Sequence, residues 1–427
     1  MRRLLTFILC IACFIIPLNH SSVFASPVSL PPHVPVEGAY YVVDVGTGMV
    51  LYSQEEDVPL AVAQLTQWMT LLLLMEALDE EELQPTDLTN VSEYAAALSD
   101  HLGKPLLKEG EEVTVEALWN LATVLQNPGA WIALVEHWKG SEEAFVELMN
   151  ERAEKMKLEH TRFVNATGLK NSELHGHHPK GTGADDESLS TVRGIGQVMY
   201  AVMKRDPSVL EGMRRPSIVW KKTTYVNVNE MLEGRPYAHD YVSSAWYGSS
   251  ALAGQTMALT AQKGKRHVLI VAKMSPENNP YELAHQRLGD WVDWAFSTFK
   301  EVELVGKHEP VVSLERLPVN RGKKKDVAVV TKEAITALVL ADSASPPHPT
   351  FEPTMDVPLQ APFKKGEAVG TVILQPELSY GFINEQALET TLIATEDVPL
   401  ASLFTRGGEG FLDFWKEWWQ SIDRLYH

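Results

Sequence analysis

The run Ala61–Leu78, AVAQLTQWMTLLLLMEAL, reads as one helix. From Trp68 to Met75 it is apolar on every side apart from Thr70, which predicts a buried helix rather than a surface one. It is shorter than the ~20 apolar residues that a bilayer span needs. Only its entry is polar: Gln64 and Gln67 stand at a spacing that puts them on one helix face. Ahead of it, Ala39–Val45 and Met49–Ser53 read as strands joined by a Gly46-Thr47-Gly48 turn. Behind it, Thr114 is placed to cap a helix through Leu125, Asn127-Pro128-Gly129 interrupts, and Ala130–Trp138 resumes. Ser141 then caps Glu142–Met156, Asn171–Ser188 is a polar loop, and Ser190–Lys204 is a further helix.

Thr256–Gln262 and His267–Met274 predict an antiparallel hairpin around Lys263-Gly264-Lys265. Tyr281–Lys300 closes this unit as a helix with Trp291, Trp294, Ala295 and Phe299 at core spacing. After Lys307-His308-Glu309-Pro310 the pattern changes. Short apolar runs at Asp326–Thr331, Ala334–Leu340, Val357–Gln360, Ala368–Gln375 and Thr390–Thr395, separated by Pro- and Gly-bearing turns, predict a small β-sandwich.

The two ends differ from everything between them. Met1-Arg2-Arg3, the apolar run Leu4–Leu18 and the small-residue site Val23-Phe24-Ala25 predict an export signal over 1–25. Both cysteines, Cys10 and Cys13, fall inside it, so the mature chain has no thiol for a disulfide. Across 409–427, Phe411, Phe414, Trp415, Trp418, Trp419, Ile422, Leu425 and Tyr426 line one face of an amphipathic helix suited to a membrane surface. A formal net charge of -19 repels phosphate backbones and argues against a nucleic-acid partner.

AYYVVDVGTGMVLYSQ, the buried helix, LLKEGEEVTVEALW, GSEEAFVELMNERAEKMKLEHTRFVNATGLKN and APFKKGEAVGTVIL together resemble the low-molecular-mass penicillin-binding proteins. These are serine D-alanyl-D-alanine carboxypeptidases of the S11 peptidase type. The resemblance covers nearly the whole chain. It implies an α/β transpeptidase-like (β-lactamase-like) domain over 36–305, a sheet flanked by helices, then a small all-β sandwich over 309–400 and the terminal helix. It also implies three motifs. In the first, S-x-x-K at the start of the buried helix, the Ser attacks the D-Ala-D-Ala carbonyl and the Lys activates it; here Gln64 and Gln67 stand instead. The second, S-x-N, falls on Gln126-Asn127-Pro128; a shift by one keeps Asn127 but puts Leu125 at the Ser position. The third, K-T-G, which binds the substrate carboxylate, falls on Trp246-Tyr247-Gly248.

A carboxamide is neither an alkoxide nucleophile nor a useful base near neutral pH. Losing one nucleophile or base from a serine hydrolase costs on the order of 10⁶ in rate, ~8 kcal/mol. The expectation is therefore an exported pseudoenzyme of peptidoglycan metabolism, held at the outer face of the cytoplasmic membrane. It would bind wall stem peptide or another envelope protein, and need neither cofactor nor metal. Two alternatives stay open. One is an active carboxypeptidase or other hydrolase with rearranged residues, for which Thr66, Ser249 and Ser250 are the candidate hydroxyls. The other is a structural spacer. The literal S-x-x-K at Ser297–Lys300 ends a helix and reads as coincidence.

Three further clusters bear on the site. His175, His177 and His178, followed by Asp185, Asp186 and Glu187, read as a solvated loop more than as a zinc site. Trp246 and Tyr247 either line a surviving cleft or plug it. Arg321–Lys325, RGKKK, reads as a turn of the β domain, with contact to anionic wall polymer or lipid as the alternative.

Overall fold

The computed structural model describes residue 30 and residues 38–101, 103–274, 281–342, 350–353, 357–375, 381–383 and 388–402. The expected export signal and terminal amphipathic helix lie outside them. Five strands make the central sheet: β1 (Gly38–Asp44), β2 (Val50–Gln54), β3 (Val242–Ser250), β4 (Gly254–Lys263) and β5 (Arg266–Met274). Their order is β3-β4-β5-β1-β2 and every pairing is antiparallel, so β3 is an edge. Both faces are covered, which is why β1 and the middle of β5 read as nearly unbroken apolar runs. Tyr41, Val43, Trp246, Ala258, Leu269 and Val271 face one core. Tyr40, Val42, Ala245, Met257, Leu259 and Ile270 face the other.

The first core is roofed by α1 (Gln67–Asp79), α2 (Glu93–Ala97), α3 (Val115–Val124), α4 (Pro128–Lys139), α5 (Glu142–Lys155), α6 (Val192–Arg205) and α7 (Val209–Met213). The second is closed by α8 (Tyr281–Thr298), through Leu288, Trp291, Val292 and Ala295. Two caps are those the sequence predicts, Thr114 accepting from Ala117 N and Ser141 from Ala144 N; Asn127, read as part of an interruption, instead caps α4 by accepting from Ala130 N, so that helix begins at Pro128 rather than Ala130.

Two expectations are corrected. The buried run is not one helix from Ala61. Leu60–Ala61 pairs as a short strand with Leu189–Ser190, Ala63–Thr66 is a 3-10 turn, and only then does α1 begin. Ala63 holds a φ of 44°, and Gly168 presses so close that a Cβ there would lie 2.0 Å from the Ala63 carbonyl oxygen. Thr70, the one polar residue of the expected buried run, is fully buried with the rest, and its hydroxyl donates to the Ala166 carbonyl at 2.7 Å.

The closing helix stops at Thr298 because the chain turns directly into β6 (Phe299–Val305), which pairs with β9 (Ile335–Leu340). The other described strands after β6 and β9 in this region are β7 (Arg316–Asn320), β8 (Asp326–Thr331), β10 (Thr350–Pro353), β11 (Leu359–Gln360), β12 (Ala368–Gln375) and β13 (Leu388–Ala394). They form a six-stranded sheet in the order β10-β12-β13-β8-β7-β11, with Val327, Val329, Val372 and Leu392 in its core. No described helix is long and apolar enough to cross a membrane.

Candidate functional site

The 3-10 turn before α1 lies against the outer end of β3. Gly248 permits this approach: a Cβ there would sit 2.6 Å from Thr256 Oγ1 and 3.1 Å from Gln64 N. Gln64 is half-buried, and its Oε1 accepts from the Ser249 backbone N–H at 3.2 Å. Gln126, at a φ of 50° between α3 and α4, donates from Nε2 to the Ala245 carbonyl at 3.1 Å. Outward-pointing backbone groups recur at alternate residues of an edge strand. Gln64 and Gln126 thus occupy such groups at Ser249 and Ala245, on either side of Tyr247.

Gln67 does not work alongside Gln64. It is 1% exposed, and its carboxamide is used at both ends: Nε2 donates to the Thr167 carbonyl at 2.8 Å, and Oε1 accepts from Trp131 Nε1 at 3.0 Å. Trp246, also 1% exposed, packs its indole 5.0 Å from the Trp68 ring and 6.1 Å from the Trp131 ring. The helix side of β3 is therefore filled. Its floor is the loop 165–168. There Asn165 Oδ1 accepts from Thr167 N and Gly168 N, and the buried Glu142 carboxylate accepts from Ala166 N and the Tyr94 hydroxyl, both at 2.8 Å. Burial pushes Glu142 up to about 7, against the pull of those donors.

The other motif neighbours have structural partners. Asn127 is buried as the α4 cap, donating to the Ser99 carbonyl, and Pro128 begins α4. Thr66 is fully buried with no hydrogen-bond partner. Ser249 is exposed; Ser250 donates to the Glu187 carboxylate and accepts from Ala253 N. Among the described residues no Lys or His hydrogen-bonds to Thr66 or Ser250. Ser297 bonds the Trp294 carbonyl and Lys300 the Ala341 carbonyl, at the seam of α8 and β6.

The histidine loop does not converge. His177 stacks on Tyr94, His178 meets Thr182 Oγ1, Asp185 pairs with Lys170, Asp186 accepts from Gly183 N and His175 is exposed. Arg321–Lys325 forms the turn from β7 to β8, where Lys324 pairs with Glu396.

Beyond Trp246 the strand alternation turns Tyr247 to the opposite face. It lies half-buried, 4.6 Å from the Tyr281 ring and 6.3 Å from the His285 ring. A cavity of about 150 Å³ opens here, lined by Gln126, Asn229, Glu230, Tyr247, Tyr281 and His285 among others. Burial holds His285 below its ordinary range, and its Nδ1 lies 2.8 Å from the Tyr281 carbonyl oxygen. Sequence reading missed Asn229, Glu230, Tyr281 and His285. The i, i+4 spacing of Tyr281 and His285 on one helix face is the only local signal that they act together.

The family model described as D-alanyl-D-alanine carboxypeptidase matches residues 31–275. The chain belongs to that family. The model of the penicillin-binding protein 5 C-terminal domain matches residues 299–400, the region of β6 to β13. The chain is 28% identical over 359 residues to D-alanyl-D-alanine carboxypeptidase DacF of Bacillus subtilis, covering 84% of this chain and 85% of that protein. It is 26% identical over 411 residues to D-alanyl-D-alanine carboxypeptidase DacD of Escherichia coli, covering 94% and 98%. Among solved structures it shares its fold with a peptidoglycan synthesis regulatory factor (PBP3) from Streptococcus pneumoniae. The TM-score is 0.73 at 24% identity, with 84% of this chain and 98% of that chain covered. This carboxypeptidase-family member thus carries the penicillin-binding-protein fold, a helix-flanked sheet followed by a β-rich region.

Proposed function

We propose that this member of the carboxypeptidase family is exported, has lost acyl transfer, and acts in cell-wall metabolism by binding peptidoglycan stem peptide or another envelope protein. Serine acyl transfer needs a hydroxyl, a base in hydrogen-bond reach and preorganised donors for the developing oxyanion. At the motif positions implied by the family, Gln64 supplies no hydroxyl. Gln67 supplies no base and has both ends of its carboxamide committed. The single observation that carries the reading is the Gln64 carboxamide oxygen resting on the Ser249 N–H. A donor of the type that would hold a substrate carbonyl is already satisfied from within the chain. Gln126 and Pro128 bring no relay hydroxyl, and Trp246 brings an indole where a cation is needed for a substrate carboxylate.

Incubation of the mature protein with a fluorescent penicillin, followed by intact-mass measurement, is expected to show unmodified protein. A stable acyl adduct would overturn the reading.

A further inference from the structure

The place where the chain leaves the β-rich region carries the opposite charge to the protein as a whole. Residues 398–401 run between two turns. On one side Gly322 bridges Leu400, Lys323 N donates to the Pro399 carbonyl at 2.9 Å and Ala401 N donates to the Arg321 carbonyl at 2.8 Å. Gly322 fits there because it has no side chain: a Cβ would lie 2.8 Å from Val398 Cγ1. On the other side Phe363 and Val398 exchange two backbone hydrogen bonds. The exit segment is thus flanked by Arg321, Lys323, Lys324 and Lys325 on one turn and by Lys364 and Lys365 on the other, all of them exposed.

Local carboxylates cancel only part of this charge. Lys324 pairs with Glu396, and Arg316 takes Asp326. Glu367 and Asp397 accept from the backbone N–H groups of Lys364 and Lys365. The side chains of Arg321, Lys323, Lys364 and Lys365 have no carboxylate partner among the described residues. Setting Glu367, Glu396 and Asp397 against the basic residues leaves a surplus of three positive charges, in a chain whose formal net charge is -19.

The sequence that follows indicates what covers this face. Segment 409–427 reads as an amphipathic helix with an aromatic apolar side, but its charged residues are Glu409, Asp413, Glu417 and Asp423 against Lys416 and Arg424. Such a segment gains from apolar burial in a bilayer and gains nothing from anionic headgroups. Interfacial binding strengthens when apolar burial and electrostatic attraction act together. Nine residues separate Ser402 from Phe411, a reach of at most ~30 Å, so the basic face and the apolar segment can meet one surface. We propose that the face made by Arg321–Lys325 and Lys364–Lys365 rests on anionic lipid headgroups and supplies the electrostatic half of a two-part membrane contact. Nothing in this contact depends on the loss of acyl transfer.

The test is co-sedimentation of the mature full chain with vesicles of phosphatidylcholine, alone or with about 30% phosphatidylglycerol. At about 0.1 M salt the anionic vesicles are expected to bind it at least ~10-fold more tightly, and at about 0.5 M the two should agree within about threefold, because screening shortens the reach of surface charge. Lys323→Gln/Lys364→Gln/Lys365→Gln should abolish the preference and leave binding to neutral vesicles unchanged. Removing the same charge from exposed sites elsewhere, in Lys104→Gln/Lys108→Gln/Lys265→Gln, should preserve it. Equal binding of the parent to both vesicles, a preference indifferent to salt, one that survives the first triple variant or is lost equally in the second, or tighter binding to soluble poly(glycerol phosphate) than to anionic vesicles would each overturn the proposal. The parent's salt response needs no variant, and the penicillin experiment is untouched by any of these outcomes.

Discussion

Two adjacent residues of β3, Trp246 and Tyr247, lead to opposite outcomes. Trp246 points to the helix side, where it completes a cluster with Trp68 and Trp131, and where Gln67 ties α4 to the loop 165–168. Tyr247 points to the α8 side, where a cavity remains beside Glu230, Tyr281 and His285. A strand turns successive side chains to opposite faces, so neighbouring substitutions can fill one half of a cleft and leave the other open. The proposed loss of acyl transfer and a binding role are compatible within one strand, because the filled side and the open cavity lie on different faces of the sheet.

The largest expected effect comes from removing the plug. Trp246→Ala should cost about 3–5 kcal/mol in urea unfolding, because a fully buried indole leaves a cavity that its neighbours only partly refill. Tyr247→Ala, whose ring keeps solvent contact, should cost less; equal costs would erase the distinction between the two faces. Next comes the polar floor of the filled side. Glu142 rises from its ordinary 4.5 to about 7 in the folded chain, so between those values the native state holds a proton that the unfolded chain has released. Stability should therefore fall as pH rises from ~4.5 to ~7 and level off above, by on the order of 3 kcal/mol. Glu142→Gln should remove this slope, as read by urea unfolding across that pH range.

Much of the fold was legible in the sequence, and for identifiable reasons. β5 and the core of α8 are strongly patterned, and Thr114 and Ser141 sit where capping chemistry places them, whereas Asn127 reads as a break and is in fact the α4 cap. The break between the 3-10 turn and α1 was not legible, because it is imposed by Gly168 from about a hundred residues away. The candidate site divided in the same manner. Gln64, Gln67, Gln126 and Trp246 could be singled out from the motifs, but not what each touches. Asn229 and Glu230 carried no motif, and only the packing of the 228–230 segment and α8 against β3 brings them beside Tyr247. Strand periodicity separates Trp246 from Tyr247: the first fills the helix side and the second faces the α8 side.

The smallest effect is the most discriminating. Gln67→Leu keeps the volume at the α1 entry nearly constant and removes only the polar ties. Trp131 Nε1 loses its acceptor and the Thr167 carbonyl loses its donor, both away from water. The expected cost is ~1–3 kcal/mol, from buried groups left unpaired rather than from lost packing. If Gln67 is a structural tie, the variant unfolds at lower urea and stays unlabelled by fluorescent penicillin. Unfolding at the parent's urea concentration would show that the two hydrogen bonds tie nothing, and labelling would show that the loss of acyl transfer rests on the carboxamide alone.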